Sequence, residues 1–266
     1  MTRNPLAKSL GLLRWMVESD LESVGVRSAA KALGLTPSST HRLISALVEE
    51  GYLQKEEGGT GRYVLGIEMM LMSQRAASRW PLRNIAMAPM RAMTAECNES
   101  AYLNLFDPDR GENIGIASVE TKQEVRYIVE LQKWKPIHVG AAGHAVMAFL
   151  PEDERRRIIE RTGLAPATSR SIVDPDALNA ALNHVRSRGY AITLGQRIPG
   201  AIGIAAPIFC SRGRALGSVG ISMPEQRFKP DMEDHLSRIL LRCADEINAR
   251  LGGRRPLPQE RLVAAE

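Results

Sequence analysis

Between residues 36 and 47, Ser38, Ser39, His41, Arg42 and Ser45 are interleaved with Thr40, Leu43, Ile44 and Leu47 at helical spacing. One face of such a helix turns inward, and the other presents short hydroxyls, an imidazole and a guanidinium. Groups of this kind donate to phosphates and base edges at close range, and an arginine grips guanine through two parallel hydrogen bonds. Thr36 is placed to cap the helix and Pro37 to occupy its first turn. Gly34 stops a preceding helix that opens at Arg27 and Ser28, because glycine takes the left-handed conformation without a Cβ penalty. An ordinary capped helical hairpin with a solvated serine-rich face has the same pattern, so the flanks must decide.

They favour DNA. Gly51 ends the second helix, and two short apolar runs then enclose Gly58-Gly-Thr-Gly61, which supplies the positive φ angles of a hairpin loop. These glycines are followed by neither Gly-Lys-Ser/Thr nor a helix, so a phosphate-cradling loop is a poor reading. Lys55 and Arg62 would flank the tip of this wing and contact phosphates. Upstream, Leu6, Leu10, Leu13 and Val17 predict a third helix packed behind the pair. Three helices and a wing make a complete DNA-binding domain over residues 1–65, with Arg27, Ser28, Thr36, Ser38, Ser39, His41, Arg42, Ser45, Lys55 and Arg62 as candidate contacts.

The arrangement resembles the N-terminal domain of the IclR (isocitrate lyase regulator) family of bacterial transcription factors, and the likeness runs on. Tyr63-Val-Leu-Gly66 is similar to the family's Tyr-x-Leu-Gly close of the wing. The segment from Pro136 to Leu150 is similar to its Pro-Leu-His…Gly-Lys-Ala…Leu-Ala block. Gly189-Tyr190, Ala205-Ala-Pro-Ile-Phe209 and Val219-Gly-Ile-Ser-Met-Pro224 resemble its last block in order and spacing. The resemblance covers residues 6–252. It implies a GAF-like second domain that binds a small metabolite.

Composition is consistent with such a protein. The 266 residues leave room for a small domain and a larger one, and the net charge of +5 suits a nucleic-acid partner. Residues 1–65 carry eight Lys/Arg against seven Asp/Glu, a net of only +1. A positive reading face must therefore come from arrangement: the helix dipole, Arg42 and Arg27. Cys97, Cys210 and Cys243 are far apart, lack metal-ligand spacing, and suit reduced structural thiols in a cytoplasmic protein. No run approaches the roughly 18 apolar residues of a membrane span, and the first residues lack a secretory apolar core.

Residues 66–81 predict a linker helix on which Ile67, Met70, Leu71 and Gln74 share a face, with Met69 and Met72 nearby. So much apolar surface on a connector favours contact with a second copy of the chain over packing on its own chain. A homodimer, or a tetramer built from two, would set two recognition helices on successive turns of double-stranded operator DNA.

From residue 82 the pattern mixes helices (85–98, 144–150, 152–161, 176–188, 231–251) with strands (102–106, 114–119, 125–130, 190–194, 203–209, 216–222). An α+β domain over 82–252 follows: an antiparallel sheet flanked by helices, with a disordered tail at 253–266. Its sensor site is expected where the loop Gly140-Ala-Ala-Gly-His144 runs into a helix. Small residues there let amides approach an anion, although a tight turn needed only for packing explains them equally well.

By resemblance, an acidic ligand would meet the amides of Ala141 and Ala142 beside Gly143 and His144, with Ser222 and Pro207 on the far wall. The sequence departs from the family in three places. Thr193-Leu-Gly-Gln-Arg197 replaces an acidic stretch, Gly220 replaces a serine, and His144 replaces a lysine. The expected cavity is less acidic and larger, and suits an anionic or aromatic organic acid with Arg197 as countercharge. Tyr102 or Trp134 could stack on a ring; either is as readily core.

Enzyme chemistry finds little support. His138 and His144 are six apart and cannot share a helix face as zinc ligands, there is no nucleophile elbow, and neither cofactor nor metal is implied. The competing readings, a metabolic enzyme or a small-molecule module with a protein-binding helical domain, predict turnover in one case and no salt-dependent DNA affinity in the other.

Overall fold

Asn4 accepts the amide of Leu6 with its side chain and Pro5 follows it, so the first helix, α1, begins at once and runs over Pro5–Glu18. Its core face is Leu12, Leu13 and Met16. The sequence stripe misplaced that face: Leu6, Leu10 and Val17 are exposed, because α1 is rotated so that Leu12 and Met16 meet the next helices. Two residues, Val24–Gly25, then form a strand, β1, that the sequence did not suggest. They are followed by α2 (Val26–Leu33), α3 (Pro37–Glu49), β2 (Leu53–Lys55), β3 (Arg62–Leu65) and α4 (Ile67–Arg79). The wing is therefore three-stranded, in the order β1-β3-β2. Gly66 is required by crowding: a Cβ there would lie 2.1 Å from the Gly51 carbonyl oxygen, where the wing returns against the end of α3.

This computed structural model describes residues 4–19, 21–79 and 81–255. The chain divides into two compact units, residues 1–81 and 82–266. Nearly all of the expected tail, from 256 onward, lies outside the described residues.

In the second unit α5 (Leu82–Cys97) leads into β4 (Ser100–Asp107), β5 (Glu112–Val119) and β6 (Trp134–Pro136), then α6 (Gly140–Met147), α7 (Glu152–Thr162) and α8 (Pro175–Arg188), and last β7 (Ala191–Leu194), β8 (Ala201–Phe209), β9 (Ala215–Pro224) and α9 (Glu233–Leu251). The six strands form one antiparallel sheet, in the order β6-β5-β4-β9-β8-β7. Strand alternation sends Ile202, Ile204, Ala206 and Ile208 of β8 to one face, where they pack with Met90 and Met93 of α5 and Leu236, Leu240 and Ile247 of α9. Tyr102, Ala191 and Ala205 face the other way, against Ala141, Ala145, Leu178 and Leu182 of α6 and α8.

One sequence expectation fails here. Residues 125–130 are not a strand; Val125 and Ile128 are exposed on an irregular strap. The edge strand is β6 instead, pairing Trp134 with Ile114. The apolar run looks like a half-buried strand, but residues 120–133 are held mostly by side chains, with the Gln132 amide donating to the Gly115 carbonyl outside any continuous ladder. Arg227 donates to the Val125 carbonyl and to both Glu99 carboxylate oxygens, and Tyr127 Oη donates to the Pro199 carbonyl.

Candidate functional site

Two sites are built, one in each unit. In the first, Gly34 adopts φ 63° and closes α2. Thr36 caps α3, accepting from the Ser39 amide at 3.3 Å. Thr40, Ile44 and Leu47 are buried, whereas Ser38, His41 and Arg42 are exposed and Ser39 and Ser45 half-buried. Arg27, near the start of α2, is exposed too.

Some candidate contacts are already occupied. The Ser28 hydroxyl both accepts the Gly25 amide and donates to the Gly25 carbonyl, capping α2. Thr36 Oγ1 donates to Ser39 Oγ at 2.9 Å, tying those two hydroxyls together. Arg62 does not reach out from the wing tip: its guanidinium donates to the hydroxyl and carbonyl of Ser23, fastening β3 beside β1. Lys55 is exposed on β2. Removing the α3 cap with Thr36→Ala is expected to cost about 1 kcal/mol in urea unfolding of the protein.

In the second unit a cavity of about 610 Å³, counting its mouth, lies between α6 and the sheet, with the strap over it. Tyr102, Ala141, Ala142, Thr193, Arg197 and Ser222 border it, joined by residues the sequence did not single out, notably Asn104 and Gln196. Tyr127, Ile128 and Val129 of the strap and Ile198 supply apolar wall. The strap residues could not be found from sequence, because an irregular segment has no period to read.

Four expected positions fall elsewhere. Gly143 is a packing residue, since a Cβ there would sit 2.1 Å from the Ile137 carbonyl oxygen. His144 is 2 % exposed and donates through Nε2 to the His138 carbonyl at 2.9 Å, on the side of α6 turned into the core; burial holds its pKa below the usual imidazole range. Trp134 is on edge strand β6, half covered by the Arg110 guanidinium 4.5 Å above its ring. Pro207 lies on β8 opposite Ser218, outside the cavity lining.

Two details correct the expected chemistry. The Ala141 amide is taken: it donates to Thr193 Oγ1 at 3.0 Å. Nor does Gly220 enlarge the cavity, because a Cβ at that position would lie 2.3 Å from Tyr102 Cζ; the tyrosine ring fills the space left by the glycine.

Charge in the lining is simple. Among the described residues that border the cavity, Arg197 carries the one formal charge. Its stem passes Gly140, where a Cβ would be 3.2 Å from Arg197 Cβ. Burial lowers its pKa and the Tyr102 hydroxyl and Glu130 oppose that; the Tyr102 pKa is raised by burial. Neither group changes charge near neutrality.

Lys135 does. Burial, then the Arg197 charge, lower its pKa to about 8, against the opposing pull of Glu130. The buried ammonium is disfavoured in the folded chain, so its contribution to stability is poorest below pH 8 and improves as pH rises toward the ordinary lysine range. Relative to Lys135→Met, the wild-type protein is expected to gain melting temperature between pH 7 and pH 9.

The comparisons agree with this geometry. Residues 74–249 match the family model described as bacterial transcriptional regulator IclR C-terminal, and residues 5–57 match the IclR helix-turn-helix domain. The HTH-type transcriptional regulator KipR of Bacillus subtilis is 27% identical over 93% of this chain and 96% of its own. The transcriptional repressor IclR of Escherichia coli is 27% identical over 94% and 90%. Among solved structures, Thermotoga maritima IclR superposes with a TM-score of 0.74 at 26% identity, covering 94% of this chain and all of that one. An IclR homolog from Microbacterium hydrocarbonoxydans, solved in complex with 4-hydroxybenzoate, has the same fold, with a TM-score of 0.79 at 22% identity over 93% and 99%. With the family model spanning most of the chain and relatives aligned almost end to end, the protein belongs to the IclR family: it is a transcriptional regulator, not an enzyme, with an N-terminal helix-turn-helix and a C-terminal effector-binding domain.

Proposed function

We propose that this regulator works in the cytoplasm as a homodimer that binds operator DNA through α3 and the wing, and changes its DNA affinity when a small organic acid occupies the cavity beneath the strap. The observation that carries the ligand class is the lining: apolar and aromatic walls around a single guanidinium, with no carboxylate among the described lining residues. A monoanion with an apolar body fits that surface, and an extra cationic group on the ligand would find no partner. The aromatic acid held by the Microbacterium homolog supports the same class.

Ile67, Met70 and Met72 of α4 are exposed, which supports a second copy as their partner. Reciprocal linkage then joins the two activities: an acid that prefers one arrangement of the dimer shifts operator affinity by the same free energy by which the operator shifts acid affinity.

Thermal-shift screening of small carboxylates finds the effector, since a selective binder raises the melting temperature as its concentration exceeds its dissociation constant. A panel of aromatic and aliphatic monocarboxylates that left the melting temperature unchanged would remove the acid-sensor reading. For DNA, titrating the protein against a fragment of its own upstream region at several salt concentrations should give an affinity that falls steeply with salt. Arg42→Ala is expected to cost about 1–3 kcal/mol of discrimination between operator and unrelated DNA. Equal weakening on every sequence would make Arg42 a phosphate contact.

A further inference from the structure

We infer that the acid this cavity takes carries a second, uncharged polar group remote from its carboxylate, and that Asn104 is the residue that selects it. The inference rests on reading the cavity as the effector site. Along β4 the residues facing α6 are Ser100, Tyr102 and Asn104, and their cross-strand partners on β9 are Ser222, Gly220 and Ser218. Tyr102 thus stands in the middle row, with its ring over Gly220. On one side of it is the row of Thr193, Gly203 and Ser222, near the turn that carries Arg197. On the other side is the row of Asn104 and Ser218.

That second row has hydrogen-bonding capacity with nothing to meet it. Asn104 borders the cavity, is 4 % exposed, and its carboxamide has no partner among the described residues. The hydroxyl of Ser218, fully buried beside it, has none either. Buried side-chain polar groups are normally satisfied, so a carboxamide on the cavity wall, backed on the neighbouring strand by a buried hydroxyl without a partner, marks where an occupant's polar atom belongs. A carboxamide donates and accepts but is neutral. It therefore pairs with a hydroxyl or keto oxygen, whereas a second carboxylate would be desolvated with no second cation in the described lining to offset the cost.

The occupant has to run from the Arg197 end, past the face of Tyr102, to Asn104. A short acid meets only one end. An elongated monocarboxylate with an aryl or similarly wide apolar body and a distal hydroxyl or keto group meets both.

Calorimetric titration of the full-length protein with two matched pairs tests this: phenylacetate against para-hydroxyphenylacetate, and phenylpropanoate against para-hydroxyphenylpropanoate. In the wild-type protein at least one hydroxylated acid should bind tenfold or more tightly than its parent. Asn104→Leu should reduce that ratio to within twofold; Asn104→Ser, which keeps a smaller polar group, should retain part of it and guards against a leucine variant that folds poorly. Equal or reversed binding within both pairs in the wild-type protein overturns the inference, as does a ratio that survives in both variants. If none of the four acids binds the wild-type protein, the acid-site reading falls and takes this inference with it; binding that ignores Asn104 sinks the inference alone.

Discussion

Arg197→Met is expected to abolish the proposed acid response while making the empty protein more stable. The methionine keeps the stem that runs past Gly140 but removes the charge. Truncating one partner of a buried, hydrogen-bonded charge pair costs about 2–5 kcal/mol, so Kd for a bound carboxylate should rise by roughly 30-fold to several thousand-fold. Without ligand the sign reverses. The guanidinium is largely buried, with no hydrogen bond or ion pair among the described residues, and burial already lowers its pKa. Replacing a largely buried charge that lacks a bonded partner among the described residues by an apolar group of similar length removes a desolvation cost that Glu130 offsets only in part. A higher melting temperature together with lost acid binding is the expected signature. An Arg197→Met protein that binds its acid within twofold of wild type would show that the charge faces the wrong way. Arg197→Lys should restore only part of the affinity, because an ammonium cannot grip a carboxylate with two parallel donors.

The second large effect is structural. Gly143→Ala puts a methyl group 2.1 Å from the Ile137 carbonyl oxygen and 2.5 Å from its carbon. Both are backbone atoms at the entry to α6, so no rotamer change relieves the clash. The loss should reach about 3 kcal/mol or more, at the upper end of overpacking effects. Urea unfolding would show it as a lower midpoint, and because α6 forms one wall of the cavity, acid binding should fail with it. Gly11→Ala is the matching control. It lies within α1, nothing comes within 4 Å of the added Cβ, and the substitution should stabilise by about 0.5–1 kcal/mol through helix propensity. Similar destabilisation by both alanines would show that crowding at Gly143 is not the cause.

How much of this was legible depended on how local each feature is. The capped start of α3 at Thr36 and Pro37, the glycine stop at Gly34 and the glycine tip of the wing follow from φ, ψ and hydrogen-bond needs of adjacent residues, and the structure has them where the spacing put them. The rotation of α1 was not legible, because two apolar stripes, one through Leu6, Leu10 and Val17 and one through Leu12 and Met16, compete for the core, and only the neighbouring helices choose between them. The strap misled for a related reason. Val125 to Val129 has strand-like composition, but its backbone is held by Arg227 and by Tyr127, each bonded across long sequence separations.

At the cavity the same division holds. Sequence pointed to the small-residue turn at Gly140 and to Arg197, since both are unusual for their position. It could not tell that Thr193 takes the Ala141 amide, that the Tyr102 ring fills the gap over Gly220, or that Asn104 arrives at the same wall from a strand some 90 residues away in the chain.

The chain by itself therefore determined the family, the two-part plan and the chemistry of the recognition helix, because these rest on short-range periodicity, caps and ordered motifs. Tertiary structure alone decided which polar groups are free to meet a ligand or a duplex and which are spent on the fold. Whether Ser28, Arg62, His144 or Asn104 has an unused hydrogen bond depends on partners that folding brings together from distant sequence, and no local pattern encodes that pairing.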